Sequence, residues 1–200
     1  MSIKDITIII TSFRSEKAIR ECLKFIDSEC KVINVENSDN AVHKKNIEKE
    51  FKNVECILSG ENIGYARGNN IGLKNTKTKY ALILNPDAKL FPKTLENFFL
   101  AAEKKPDFAI MGPSMVRNSL GDNNPDSSSD SIKSVDSIKG YAMFLNLSQF
   151  KEIGFFDENF FLYLEEIDLC RRVIKHGKKI YIDSNIQIFH EGAKSVDSSI

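Results

Sequence analysis

The chain reads as an α/β fold on a mostly parallel, doubly wound sheet. Short apolar runs alternate with stretches whose apolar residues recur every three or four positions, the strand-helix rhythm of parallel sheets. The runs are continuous and rich in β-branched residues, as strands covered on both faces require. With 200 residues, 42% of them hydrophobic, the chain can bury one such core.

In order, Ile6 to Thr11 is the first strand. Ser15 can cap the helix carrying Ala18, Ile19, Cys22, Leu23 and Ile26. Val32 to Val35 reads as a strand, Ala41 to Phe51 as a helix and Val54 to Leu58 as a third strand. A glycine-containing loop leads into a helix over Gly64 to Asn75, followed by the strand Tyr80 to Leu84. Pro92 suits the first turn of a helix reaching Lys105, because that position needs no N–H donor. Phe108 to Met111 is a strand, and the serine- and asparagine-rich segment from Arg117 to Ser137 a flexible loop. Then come a strand over Lys139 to Leu145, a short helix ending near Gly154, and a helix from Tyr163 to His176 stopped by Gly177. Two strands, Lys179 to Ile182 and Ile186 to Phe189, lead to His190.

Composition excludes some classes of function. The 28 basic and 28 acidic residues balance, so nothing favours a nucleic-acid partner. Cys22, Cys30, Cys56 and Cys170 lack C-x-x-C spacing and read as reduced, buried thiols. No apolar run approaches the ~20 residues that cross a bilayer. A cytoplasmic, soluble protein is expected, with peripheral membrane attachment still open.

Four clusters could carry chemistry. Tyr80 to Leu84 is cut off by Asn85-Pro86 and then presents Asp87, a carboxylate beyond a strand end, where open α/β sheets bind ligands. Glu165, Glu166 and Asp168 open the late helix. On a 100° wheel Tyr163, Ile167, Cys170, Val173 and Ile174 point inward, with Glu166 among them and Glu165 on the polar edge near Arg172. Asp168 and Arg172, four apart, should form an ion pair. An inward carboxylate is costly unless a site uses it. His190 ends the last strand, whereas His43 and His176 fall on exposed helix positions. Finally, Glu61 to Asn70 combines two glycines, three asparagines and Arg67 at a loop-to-helix junction that would suit a diphosphate.

Eight segments in order give these clusters a common meaning: Ile8-Ile-Ile-Thr-Ser-Phe13, Val35-Glu-Asn-Ser38, Asn62-Ile-Gly-Tyr-Ala-Arg-Gly-Asn-Asn-Ile-Gly72, Leu82-Ile-Leu-Asn-Pro-Asp87, Gly140-Tyr-Ala-Met-Phe144, Gly154-Phe-Phe-Asp-Glu-Asn-Phe-Phe-Leu-Tyr163, Glu165-Glu-Ile-Asp-Leu-Cys170 and His190-Glu-Gly192. Together they resemble the family 2 glycosyltransferases of GT-A fold, specifically the bacterial rhamnosyltransferase-like enzymes. The resemblance implies a Rossmann-like sheet with a smaller acceptor-side half. Residues 1–112 would then bind the nucleotide-sugar, 117–137 form the loop, and 138–200 carry the acceptor side and the base. It implies Thr11, Phe13 and Glu36 around the nucleoside, Asn62, Gly64, Arg67 and Asn85 near the nucleotide-sugar, and Asp87 with His190 holding Mg²⁺ or Mn²⁺. Glu166 would be the general base. The implied activity is inverting transfer of a sugar, rhamnose among the candidates, from a dTDP- or UDP-linked donor to a surface glycan or lipid-linked acceptor.

Two alternatives remain. Glu stands at positions 36 and 166, where the family more often has Asp, and the second of these keeps open a module that binds nucleotide-sugar without turnover. A nucleotidyltransferase would place a glycine-rich loop after the first strand, and Thr11-Ser-Phe-Arg-Ser15 has no glycine.

Overall fold

The computed structural model describes residues 2–113, 116–117 and 131–190. The elements are β1 (Ile6–Ser12), α1 (Glu16–Leu23), β2 (Lys31–Glu36), α2 (Ala41–Glu50), β3 (Val54–Leu58), α3 (Gly64–Asn75), β4 (Tyr80–Leu84), β5 (Ala88–Leu90), α4 (Thr94–Lys104), β6 (Phe108–Pro113), β7 (Val116–Arg117), β8 (Ile132–Ser134), β9 (Ala142–Asn146), α5 (Glu165–Lys175), β10 (Lys179–Asp183) and β11 (Ile188–His190).

Eight strands form one sheet in the order β3-β2-β1-β4-β9-β6-β10-β8. β1 pairs parallel with β2 and β4, β2 with β3, and β6 with β10. β9 is antiparallel to both β4 and β6 and closes the gap between them. The continuous apolar runs have the meaning expected of them: all seven residues of β1 are buried. Ile6, Ile8 and Ile10 enter one core layer with Ile19 and Cys22 of α1, Ile47 of α2 and Phe98 of α4. Ile9 faces the other layer, with Ala66 and Leu73 of α3 and Leu169 and Val173 of α5. Burial holds all four thiols inside, and it pushes those of Cys22, Cys30 and Cys56 up to about 12.

Helix α3 lies close on β1 because Gly68 and Gly72, one turn apart, face it. A Cβ at Gly68 would come within 2.5 Å of Thr11 Cγ2, and one at Gly72 would collide with Ile9 Cγ2. This contact brings the loop-to-helix junction at Gly64 beside the end of β1.

Several elements differ from the sequence reading. Ile132–Ser134, expected in the loop, is an antiparallel edge strand with Ile132 buried against the core. Residues 118–130 of that loop lie outside the described residues, as do Glu191 and Gly192. The expected short helix before Gly154 is a 3₁₀ turn over Leu147–Phe150. Helix α5 starts at Glu165, because Tyr163 and Leu164 both have left-handed φ, 69° and 72°. His43 is buried at 3% exposure, with neither ring nitrogen hydrogen-bonded among the described residues. Among the described residues, no helix is long and apolar enough to cross a membrane.

A second sheet, β5-β11-β7, positions the chemistry. The chain leaves β4, turns at Asn85-Pro86-Asp87 and forms β5, against which β11 pairs antiparallel with His190 opposite Ala88. That register sets His190 beside Asp87.

Candidate active site

Asp87 and His190 meet: His190 Nε2 is 3.1 Å from Asp87 Oδ1. That oxygen is buried and accepts no hydrogen bond among the described residues. The Asp87 side chain is 3% exposed overall. Tyr141 stacks on the His190 ring at 4.6 Å and 16°, fixing its plane. Asn85 Nδ2 lies 3.4 Å from the same Nε2. An orphaned carboxylate oxygen facing an imidazole nitrogen is a pair of donor atoms suited to a hard or borderline divalent cation. No group of three or more His, Cys, Asp or Glu side chains gathers as a complete metal cage among the described residues. The pair would therefore need further ligands from a substrate, as catalytic Mg²⁺ sites commonly do.

His190 and Asn85 open onto a cavity of about 560 Å³ at the strand ends. Thr11, Phe13, Asn62, Gly64 and Glu166 also line it, so seven of the ten residues singled out from the sequence share one wall or another. Thr11 Oγ1 donates to Asn69 Oδ1 at 3.1 Å, which ties β1 to α3. Asn62 Oδ1 accepts from the Gly64 N–H at 3.2 Å and orders the turn into α3. Gly64 needs its φ of +83° and its missing side chain, since a Cβ would run into the Phe161 carbonyl. The Arg14 guanidinium sits 5.2 Å over the Phe13 ring.

The other three lie elsewhere. Asp87 is behind the lining, reaching the cavity through His190. Glu36 is buried beneath Ser12, accepting hydrogen bonds from Ser12 Oγ at 2.5 Å and Ser38 Oγ at 2.9 Å. Arg67 is exposed on the outer face of α3, where its Nε donates to the Glu158 carbonyl at 3.1 Å. Alternate helix faces decide this: Gly68 and Gly72 take the inward side, so residue 67 points out.

The acids at the start of α5 are arranged differently from the wheel. Glu165 is 4% exposed and lines the cavity, with Oε2 accepting no hydrogen bond among the described residues. Burial holds its carboxyl above the usual carboxylate range, against the pull of its own backbone N–H. Glu166 is half-buried, lies along Gly140 and makes no hydrogen bond or ion pair among the described residues. The buried stripe is Glu165, Leu169, Cys170 and Val173, while Ile174 is 39% exposed. The expected Asp168–Arg172 pair forms at 2.8 Å, and Arg172 also holds the Ile153 and Phe155 carbonyls.

Sequence reasoning passed over Tyr65 and Lys139, although the first lies inside a quoted motif and the second adjoins one. The Tyr65 hydroxyl donates to the Gly140 carbonyl at 2.8 Å and lies 3.2 Å from Asn85 Oδ1. Burial, then the nearby Glu165, pushes its pKa up, so it stays a donor. Lys139 puts an exposed ammonium on the cavity wall, where the sequence reading had expected Arg67. On the rim, Phe161, Leu162, Tyr163 and Leu164 are 50–75% exposed.

The chain is similar to proteins of known character. The chain is 26% identical over 198 residues to a low-salt glycan biosynthesis hexosyltransferase, Agl10, of Haloferax volcanii, covering 88% of this chain and 64% of that protein. It is 27% identical over 209 residues to the rhamnosyltransferase WbbL of Escherichia coli, covering 87% and 78%. It thus spans somewhat under two thirds of the first of these relatives. The fold superposes on a mannosyltransferase of Pyrobaculum calidifontis, solved with GDP-Man and Mn²⁺, with a TM-score of 0.76 at 13% identity over 95% of this chain and 57% of that one. At that identity the likeness establishes the GT-A fold. A family model described as Glycosyl transferase family 2 matches residues 7–171, and by that match, which takes in both walls of the cavity, the protein belongs to glycosyl transferase family 2.

Proposed function

We propose that the chain is an inverting glycosyltransferase domain that moves a sugar, with rhamnose first among the candidates, from a nucleoside-diphosphate donor to a hydroxyl of a surface glycan or lipid-linked precursor. The observation that supports it most is the meeting of Asp87 and His190 at 3.1 Å, with His190 on a cavity that is also lined by Glu166, a carboxylate without a partner among the described residues. Residues 1–112 would serve the donor and 138–200 the acceptor.

Asp87 and His190 would hold Mg²⁺ or Mn²⁺, which supplies positive charge against the departing diphosphate. Thr11, Phe13 and Asn62 line the part of the cavity that fits a nucleoside, and Lys139 offers a cation to a phosphate. Glu166 takes the proton from the acceptor hydroxyl as that oxygen bonds to the anomeric carbon. The bond from that carbon to the diphosphate breaks, and its electron pair leaves with the nucleoside diphosphate. One displacement inverts the centre and requires one base. The exposed Phe161–Leu164 rim suits an apolar acceptor tail at the inner face of a membrane.

The test is release of nucleoside diphosphate from dTDP-rhamnose and from UDP-sugars, with and without Mn²⁺, in the presence of a lipid-diphosphate sugar acceptor. Metal-dependent transfer that Glu166→Gln abolishes supports the reading. Donor binding without turnover under every acceptor would overturn it in favour of a binding module.

A further inference from the structure

We infer that the outward face of α4 is a self-association surface, on which a second copy of this chain packs antiparallel about a two-fold axis at Leu100. Helix α4 buries Thr94, Phe98, Ala101 and Ala102 and turns Glu96, Leu100 and Lys104 to solvent. These three follow one another at four-residue spacing, so they stand in one row along the helix. Leu100 is 48% exposed and borders two cavities, of about 470 and 460 Å³. The first is lined by Phe25, Leu95 and Phe99 together with the acids Asp27, Glu96 and Glu103. The second is lined by Phe91 and Pro92 with the bases Lys93 and Lys104. Neither the Glu96 carboxylate nor the Lys104 ammonium takes part in a hydrogen bond or ion pair among the described residues.

Charge order selects the occupant. Along α4 the row reads acid, apolar, base, and in reverse it reads base, apolar, acid. Two copies crossing antiparallel at Leu100 therefore bring Glu96 level with the partner's Lys104, and Lys104 level with the partner's Glu96. Parallel packing would set each charge against its own kind, so the same row rejects it. A contact that uses one patch on both copies closes as a dimer and does not grow into a filament. Leu100 then meets the partner's Leu100, and the flanks of the facing helix enter the two cavities as ridges enter grooves. Burial of Leu100 and of Phe25, itself 42% exposed, drives association. The charge pairs contribute little energy and fix orientation. Among the described residues, none of α4 lines the candidate active-site cavity, so the inference stands apart from the glycosyltransferase reading.

The experiment is sedimentation equilibrium of the full chain over a concentration series, at low and high salt. It compares wild type, Leu100→Glu, Glu96→Lys, Lys104→Glu and an equimolar mixture of the last two, with circular dichroism melting to confirm that each variant folds. Wild type should dimerise, more weakly at high salt. Leu100→Glu should remain monomeric. Glu96→Lys and Lys104→Glu each bring like charges together at both ends of the contact and should raise the dimer Kd on the order of 10-fold or more. Their mixture should recover dimers of near wild-type affinity, because every facing pair between the two chains is again Glu with Lys. Wild type that stays monomeric throughout, self-association that Leu100→Glu leaves intact, or a mixture that associates no better than either variant alone would each overturn the inference.

Discussion

The two walls of the cavity are built differently. On the wall formed by β1, β2 and α3, polar side chains are engaged with one another: Glu36 accepts from Ser12 and Ser38, Asn34 donates to Ser12, and Thr11 holds Asn69. Gly68 and Gly72 bring the backbones of that wall close. On the wall formed by the approach to α5, Tyr163 and Leu164 adopt left-handed φ, four apolar residues face solvent, and Glu165 Oε2 has no partner among the described residues. A preformed wall suits the part of a ligand that must be held still. Unpaired acids and strained backbone suit the part where a proton moves and a second substrate enters. On the proposed function, stability lies in one wall and reactivity in the other.

The largest test of that division is Glu166→Gln, which should cut transfer by roughly 10²- to 10⁴-fold, the usual worth of a general base, with donor affinity and melting temperature unchanged. Retained activity, read by nucleoside-diphosphate release, would break the contrast. Next is Gly64→Ala, which joins the walls. It combines a φ of +83° with a clash on the Phe161 carbonyl and should cost roughly 1–3 kcal/mol in urea unfolding. Ser12→Ala removes a buried donor to Glu36 and should cost about 1–2 kcal/mol with little effect on kcat.

The smallest effect is a gain. The Glu165 carboxyl is raised by burial in the folded state, so the folded protein keeps its proton at pH values where the unfolded chain has lost it. Stability is therefore full below the ordinary value of 4.5 and declines as pH rises through the folded value. Glu165→Gln is neutral throughout, so its melting temperature should exceed wild type at pH 7 and match it near pH 4. A wild-type protein that grows more stable from pH 4 to 7 relative to this variant would contradict the desolvated placement.

Short-range features were legible from the amino-acid order. The β-branched runs, the three- and four-residue spacing and the Asp168–Arg172 pair depend on neighbours within one or two turns, and the order of residues states those neighbours directly. The motifs around Asn62–Gly72 and Leu82–Asp87 likewise announced which segments would meet. Less visible was how the segments would face. The inward side of α5 shifted to Glu165 because two left-handed residues delayed its start, and Arg67 turned outward once Gly68 and Gly72 took the β1 side. His43 went inside although its flanks are polar.

The amino-acid sequence by itself determined the alternation of strands and helices, the family and the acids and imidazole that chemistry would need. Tertiary structure alone decided that β9 would enter antiparallel between β4 and β6, and that β11 would pair with β5 in the register that sets His190 beside Asp87. Local periodicity records which face of an element is apolar. The choice of strand partner and the heading of a side chain at a helix end are set by contacts between residues far apart in the chain, and no single segment carries that information.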